Sequence, residues 1–312
     1  MPKRIVSGET VATWLGIAAI LLWCTVVGVS RSLTEQLGPL TSVSCIYLIA
    51  GALGSGLALA FRGGAGRLVR MPRRYLLGCG GLFALYGLCL YLALGMAAGR
   101  QQVLEIGIVN YLWPALTLVF SIPILGMKAR PWLVPAMALV LGGIVLAMAQ
   151  GGEFSWSGFL ANLRLNGAPY LLALAASVAW GLYSNLSRRW AGKAEGEAVP
   201  FFLLAAGVIL LLVRLTRHED TQWSWNVAMR LAYMAIGPTL LAYTFWDYAM
   251  RKGRMVLVTS VGYTCPVLST FVTGFYLGVG VGPALWVAAA MVVAGAMLSN
   301  YSIVDPARAR RV

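Results

Sequence analysis

The sequence predicts an all-α integral membrane protein: ten transmembrane helices, paired as two inverted five-helix repeats around a central cavity, with both termini cytoplasmic. Three observations predict it. Of 312 residues, 60% are hydrophobic and only 11% charged, at a mean hydropathy of +0.79. A soluble domain carries about 25% charged residues. Ten apolar runs divide the chain, near 11–30, 39–61, 75–98, 103–125, 132–149, 170–187, 199–213, 227–250, 255–277 and 283–301. The chain also repeats itself at an offset of 152 residues.

The first run follows Lys3 and Arg4, an opening that resembles a signal peptide. It is long and the repeat requires it, so it reads as a retained helix. Turn signals separate the later runs: Gly38-Pro39, the glycines of 63–66, and the segments 126–131 and 278–283. The runs 103–125 and 255–277 are each 23 residues, about 34 Å as a helix, enough to cross a bilayer. Each carries Tyr-x-x-Pro at its middle: Asn110-Tyr111-Leu112-Trp113-Pro114 and Gly262-Tyr263-Thr264-Cys265-Pro266. Proline lacks an N–H and clashes with the carbonyl four residues back, so both helices should bend and free the carbonyls of Asn110 and Gly262. Within lipid, such groups are tolerated only inside protein or beside a cavity. The kinks at Pro114 and Pro266 are therefore expected to flank the space where a solute is handled.

The net charge of +14 does not signal nucleic acid, because the basic residues sit in short loops and at the termini. Counted on alternate sides of the membrane, 18 Lys and Arg fall on one side and 6 on the other, which places both termini in the cytoplasm. The five cysteines lie inside apolar runs without metal-ligand spacing, and His218 is the one histidine. No metal, cofactor or histidine-based catalysis is expected, so the chain does not read as an enzyme.

The repeat is ungapped over a long stretch. At offset 152, Tyr91 meets Tyr243, Tyr111 meets Tyr263, Pro114 meets Pro266, Gly126 meets Gly278, Pro131 meets Pro283 and Gly143 meets Gly295. Upstream, an offset of 157 aligns Trp23 with Trp180 and Ser30-Arg31 with Ser187-Arg188. The units are residues 1–150 and 151–312. A unit of five crossings makes the second copy enter from the opposite side, which gives the inverted symmetry of transporters.

These residues resemble the drug/metabolite transporter superfamily, with its EamA-type repeats, and within it the aromatic amino acid exporters of the YddG type. Leu22-Trp23-Cys24-Thr25-Val26-Val27-Gly28 and Leu37-Gly38-Pro39 are similar to that branch's first helix and loop. The stretch from Glu105 to Pro114 resembles its fourth helix, and Tyr47, Tyr86, Trp180, Tyr183 and Pro266-Val267-Leu268-Ser269 fall where it has similar residues. The resemblance covers roughly 11–301. It implies ten helices, a central cavity opening alternately to each side, and export of Phe, Tyr, Trp and some other neutral amino acids. Two departures stand out. The Gly-Glu pair common after the proline helix is Gly126-Met127 and Gly278-Val279 here, and Asp247 is not characteristic of the branch.

The candidate substrate-contacting residues are Trp23, Tyr47, Tyr86, Asn110, Tyr111, Trp113, Trp180, Tyr183 and Tyr263. Of these, Tyr111, Trp113, Trp180 and Tyr263 lie near the middle of their runs, where a tyrosine needs a partner for its hydroxyl and so faces the interior, unlike the interfacial Trp132, Trp190, Trp223 and Trp225. Trp23, Tyr47, Tyr86 and Tyr183 are candidates because the resemblance implies them. Trp113 could instead face a neighbouring helix or lipid. Aromatic walls suit aromatic cargo by stacking and an ammonium by cation–π contact. Asn110 reads either as a partner for a zwitterion or as an interhelical hydrogen bond. Glu105 and Asp247 are the acids within apolar runs, hence candidates for coupling or gating. Their plainer readings are an interfacial ion pair of Glu105 with Arg100, and neutralisation of Asp247 by Arg251 one turn on. Glycines such as Gly51, Gly54, Gly142 and Gly143 read as sites of close helix approach.

The sequence thus points to a secondary transporter in the bacterial inner membrane, exporting aromatic and other neutral amino acids by alternating access. A lipophilic cation or nucleotide-sugar-like solute is the alternative cargo. The expected partners are the substrate and membrane lipid, not nucleic acid, with the chain acting as a monomer. No Walker motif supports ATP-driven transport.

Overall fold

The computed structural model describes residues 8–61, 68, 70–149, 155–191, 198–277 and 282–306, and it is helical along every one of the apolar runs. That is the physical requirement of an apolar solvent, in which each backbone N–H and C=O must be satisfied within the segment. In chain order the helices are α1 (Gly8–Cys24), α2 (Val26–Leu37), α3 (Pro39–Phe61), α4 (Gly80–Gly95), α5 (Arg100–Asn110), α6 (Trp113–Leu125) and α7 (Leu133–Met148). They continue as α8 (Trp156–Leu165), α9 (Ala168–Ala191), α10 (Val199–Leu215), α11 (Trp225–Met234), α12 (Ala242–Lys252), α13 (Met255–Gly262), α14 (Cys265–Leu277) and α15 (Pro283–Ser302). π-Helical turns lead into α4 at Arg74–Cys79 and join α11 to α12 at Ala235–Leu241.

Among the described residues, four helices are long and apolar enough to cross a membrane: Pro39–Ala60, Arg74–Gly95, Gln101–Leu125 and Pro283–Ser302. The pair α8–α9, bent by 99°, is a fifth if taken as one span. The side chains of residues 27, 28, 31 and 100, and the expected turns at 63–66 and 278–281, lie outside the described residues.

Two expectations differ from the structure. The run 11–30 is not one helix but α1 and α2, interrupted at Thr25, whose hydroxyl donates back to the Leu22 carbonyl at 2.7 Å. That local bond competes with the helical ladder without any proline. The second is α8, which no apolar run foreshadows; Ser155 caps it by accepting from Gly158 N at 3.1 Å.

Helix packing is reciprocal. α3 lies along α10 and α7 along α15; α1 lies along α12, and α9 along α4; α9 also packs on α6, while α1 touches α13 and α14. Glycines permit the close approach at two of these crossings. A Cβ on Gly51 would lie 2.4 Å from Leu204 N, and one on Gly207 2.9 Å from Leu48 N. At the other crossing, a Cβ on Gly143 would lie 3.0 Å from Ala288 O, and one on Gly295 2.9 Å from Ala136 O. The small-residue reading of Gly51 and Gly143 therefore holds.

The loops gather alternately at two ends. At one end Lys128–Ala129 pairs antiparallel with Ile303–Val304, Arg188 Nη1 donates to Gly253 O at 2.9 Å, and Arg254 N donates to Thr13 Oγ1 at 3.0 Å. At the other end Glu219 accepts from Leu40 N (3.0 Å), Thr41 N (2.8 Å) and Thr41 Oγ1 (2.7 Å), and Gln222 N donates to Gln36 O at 2.8 Å. Of the described basic segments, 128–130, 188–189 and 251–254 meet at the first end. Trp132, Trp223 and Trp225 are exposed, as interfacial residues should be, whereas Trp190 packs over Gly78.

Candidate functional site

Both Tyr-x-x-Pro motifs break their helices, as proline requires. α5 ends at Asn110 and α6 begins at Trp113; α13 ends at Gly262 and α14 begins at Cys265. The Asn110 carbonyl freed by Pro114 is not left open, because the Ser177 hydroxyl on α9 lies 2.9 Å from it and 3.0 Å from the Val109 carbonyl. The two breaks touch directly. A Cβ on Gly262 would lie 2.5 Å from the Trp113 ring, so a glycine stands where its repeat partner is Asn110. Trp113 is buried and inside the bundle, which settles the sequence alternatives against a lipid-facing position.

Around that contact the aromatic residues converge. Trp23, from the last turn of α1, has its ring centroid 6.4 Å from Trp113, 5.9 Å from Trp180, 5.5 Å from Tyr243 and 5.3 Å from Trp246. Trp113 and Trp246 meet edge-on at 5.1 Å. Trp180 lies 4.7 Å from Tyr86, 5.1 Å from Tyr183 and 6.0 Å from Phe83. Tyr47 joins through Tyr243, with their hydroxyls 3.2 Å apart. Each ring pair contributes about 0.5–1.5 kcal/mol beyond its area burial, so the rings hold one another together. The indole N–H groups find acceptors: Trp23 Nε1 donates to Pro238 O in the π turn at 3.0 Å, and Trp246 Nε1 to Ser184 Oγ at 3.2 Å.

Six of the residues expected from sequence, Trp23, Tyr47, Tyr86, Trp113, Trp180 and Tyr183, thus come together. Asn110 lies beside Tyr86; its amide oxygen is buried with no hydrogen bond of ordinary geometry among the described residues. Tyr111 is half-buried at the edge, packed towards the second apolar cluster. Tyr263 differs from expectation. It is fully buried in that second cluster with Val267, Leu285 and Val292, turned towards α15 and away from the rings. Sequence reasoning missed Tyr243, Trp246, Phe83 and Tyr91. Tyr91 and Tyr243 were visible as repeat partners, although that match carried no hint of position.

Both acids are buried and saturated. Asp247 accepts from Tyr75 Oη at 2.9 Å, Tyr183 Oη at 2.9 Å and Arg251 Nη1 at 3.1 Å, just beyond the ring cluster. The expected i, i+4 neutralisation is present, with both side chains almost fully buried. Glu105 accepts from Gln101 Nε2 at 2.9 Å, Asn162 Nδ2 at 3.1 Å and the Tyr170 hydroxyl. The expected Arg100 partner lies outside the described side chains. What Glu105 visibly does is fasten α8 and α9 to α5.

The geometry has counterparts among known proteins. A model described as the EamA-like transporter family matches residues 167–301. The chain is 33% identical to the aromatic amino acid exporter YddG of Salmonella typhimurium, over 92% of this chain and 96% of that one. It is 34% identical to the protein of the same name from Ancylobacter novellus, over 93% of this chain and 96% of that one. A crystal structure of a protein 30% identical in sequence superposes with a TM-score of 0.78, covering 93% of this chain and 98% of its own.

Proposed function

The chain belongs to the EamA-like transporter family, and we propose that it is a secondary transporter exporting aromatic and other neutral amino acids across the bacterial inner membrane. The observation that carries this reading is the aromatic cluster of Trp23, Trp113, Trp180, Tyr243 and Trp246, set where three helices are broken. Substrate stacks on these rings when the cavity opens, and Tyr47, Tyr86 and Tyr183 complete the wall. Asn110 supports the zwitterion contact, since a buried amide oxygen without a bond costs about 1–3 kcal/mol until a ligand ammonium meets it. Tyr111 borders this wall. Tyr263 acts through packing on α15.

The frame is ten spans in two inverted units, 1–150 and 151–312, with both termini cytoplasmic. Exchanging the units maps the α3–α10 and α7–α15 contacts onto themselves and exchanges α1–α12 with α9–α4, which supports this reading. The gathering of the basic segments 128–130, 188–189 and 251–254 at one end supports the orientation. Alternating access then rocks the units about the glycine crossings. The saturated partners of Glu105 and Asp247 support a holding role for each over proton relay.

Efflux from preloaded proteoliposomes tests the proposal. Labelled phenylalanine should leave faster than lysine, and Trp180→Ala should slow it while the protein stays folded. The same rings suit a lipophilic cation by cation–π contact. Efflux of tetraphenylphosphonium without efflux of phenylalanine would replace the amino acid reading with that one.

A further inference from the structure

A second concave feature lies away from the ring cluster. A cavity of about 360 Å³ opens between α1, α3, α10, the π turn and α12, with Gly54, Ala58, Pro200, Leu240 and Tyr248 in its lining. Its lining is mainly aliphatic, and its rim is open: Val11, Leu57 and Leu241 are each more than two-fifths exposed. Those rim residues continue into the exposed apolar belt formed by Trp14, Leu21, Leu53 and Ile236. In a membrane protein that belt faces hydrocarbon, so the groove is a side pocket of the lipid phase.

The groove has depth because position 54 has no side chain. A Cβ there would lie 2.5 Å from Leu240 Cδ1 and 2.9 Å from Pro200 Cβ, so any larger residue would push Leu240 out into the space. One end of the groove is charged. Tyr248 closes it on the side of the basic loops, and Lys252 Nζ stands 5.5 Å from the Tyr248 ring centroid. The ammonium therefore sits one helical turn beyond the last apolar contact, at the depth of a headgroup. Basic residues at that boundary attract anionic lipid. The inner wall is the Ala235–Leu241 π turn, whose Pro238 carbonyl holds the Trp23 indole.

We propose that this groove binds an acyl chain of an anionic glycerophospholipid, with the lipid phosphate at Lys252. The aliphatic lining selects the chain, and the Lys252 ammonium selects the headgroup. The bound chain props the π turn from the lipid side, opposite the Trp23 contact. The inference needs membrane embedding only and is independent of which solute the protein carries.

Native mass spectrometry of the delipidated full chain, titrated with phosphatidylglycerol and with phosphatidylcholine, tests this. Wild type should bind its first phosphatidylglycerol about fivefold more tightly than its first phosphatidylcholine, the factor expected of one basic residue at an anionic surface. Lys252→Gln should equalise the two lipids. Ala58→Phe, at a half-buried position on the groove wall, should remove the first tight lipid of either kind while circular dichroism stays helical. A phosphatidylglycerol preference that survives Lys252→Gln would overturn the headgroup assignment. Lipid binding by Ala58→Phe equal to wild type would overturn the groove itself.

Discussion

Arg251→Met removes the one cation that the Asp247 carboxylate touches among the described residues, at 3.1 Å, and leaves the acid almost fully buried. The tyrosine hydroxyls of Tyr75 and Tyr183 remain as donors at 2.9 Å each, but they carry no charge. Breaking a buried pair in this way costs about 3–5 kcal/mol, because the surviving ion is uncompensated in a low dielectric. At about 2–4 °C per kcal/mol for larger domains, the unfolding midpoint should fall on the order of 10 °C. Adding Asp247→Asn removes the stranded charge while keeping an acceptor for the tyrosines. The double variant should therefore recover at least half of the loss, since neutral replacement of a buried pair is often close to neutral in stability. Thermal unfolding in detergent, followed by near-ultraviolet circular dichroism of the tryptophan cluster, measures both. A single variant as stable as wild type, or a double variant no better than the single, would refute the view that this ion pair holds the floor beneath the rings.

Further outcomes follow from the same contacts. Gly262→Ala places a methyl 2.5 Å from the Trp113 ring and should cost about 1–3 kcal/mol by overpacking, with slowed transport. Unchanged transport and stability would mean that the two helix breaks do not need that contact. Glu105→Gln keeps the shape of the acceptor to Gln101 and Asn162 but loses its charge, so stability should fall by about 1 kcal/mol and transport should persist. A folded Glu105→Gln protein without transport would return Glu105 to a coupling role. Glu219→Ala removes three hydrogen bonds to Leu40 and Thr41 at the start of α3. Faster hydrogen exchange confined to the α3 start and the 216–224 segment is expected, and no change there would contradict the tie.

The parts of the fold that were legible in the sequence are those punctuated by residues with few backbone options. Pro114, Pro266 and Gly126 mark breaks and ends that the structure keeps, and Gly126 closes α6 in the left-handed conformation with φ of 70°. The break at Thr25 was not legible, because a threonine bonding its own backbone leaves no mark in hydropathy. Helix α8 is ten residues with no buried member, so no apolar run announces it. At the site, Asp247 and Arg251 were readable because they are one helical turn apart. The partners of Glu105 were not, since Asn162 and Tyr170 are 57 and 65 residues away. Trp246 was hidden for a similar reason. Its place beside Trp23 and Trp113 depends on how α12 packs on α1, which no local pattern encodes.

Counterflow is the most direct test of the central claim, that the converged rings Trp23, Trp113, Trp180, Tyr243 and Trp246 handle an aromatic amino acid. Proteoliposomes loaded with unlabelled tryptophan should accumulate labelled tryptophan and phenylalanine well above threonine and lysine, and Trp23→Ala should abolish that selectivity with the protein still monodisperse. Equal uptake of all four amino acids by wild type, or selectivity undiminished in Trp23→Ala, would contradict it.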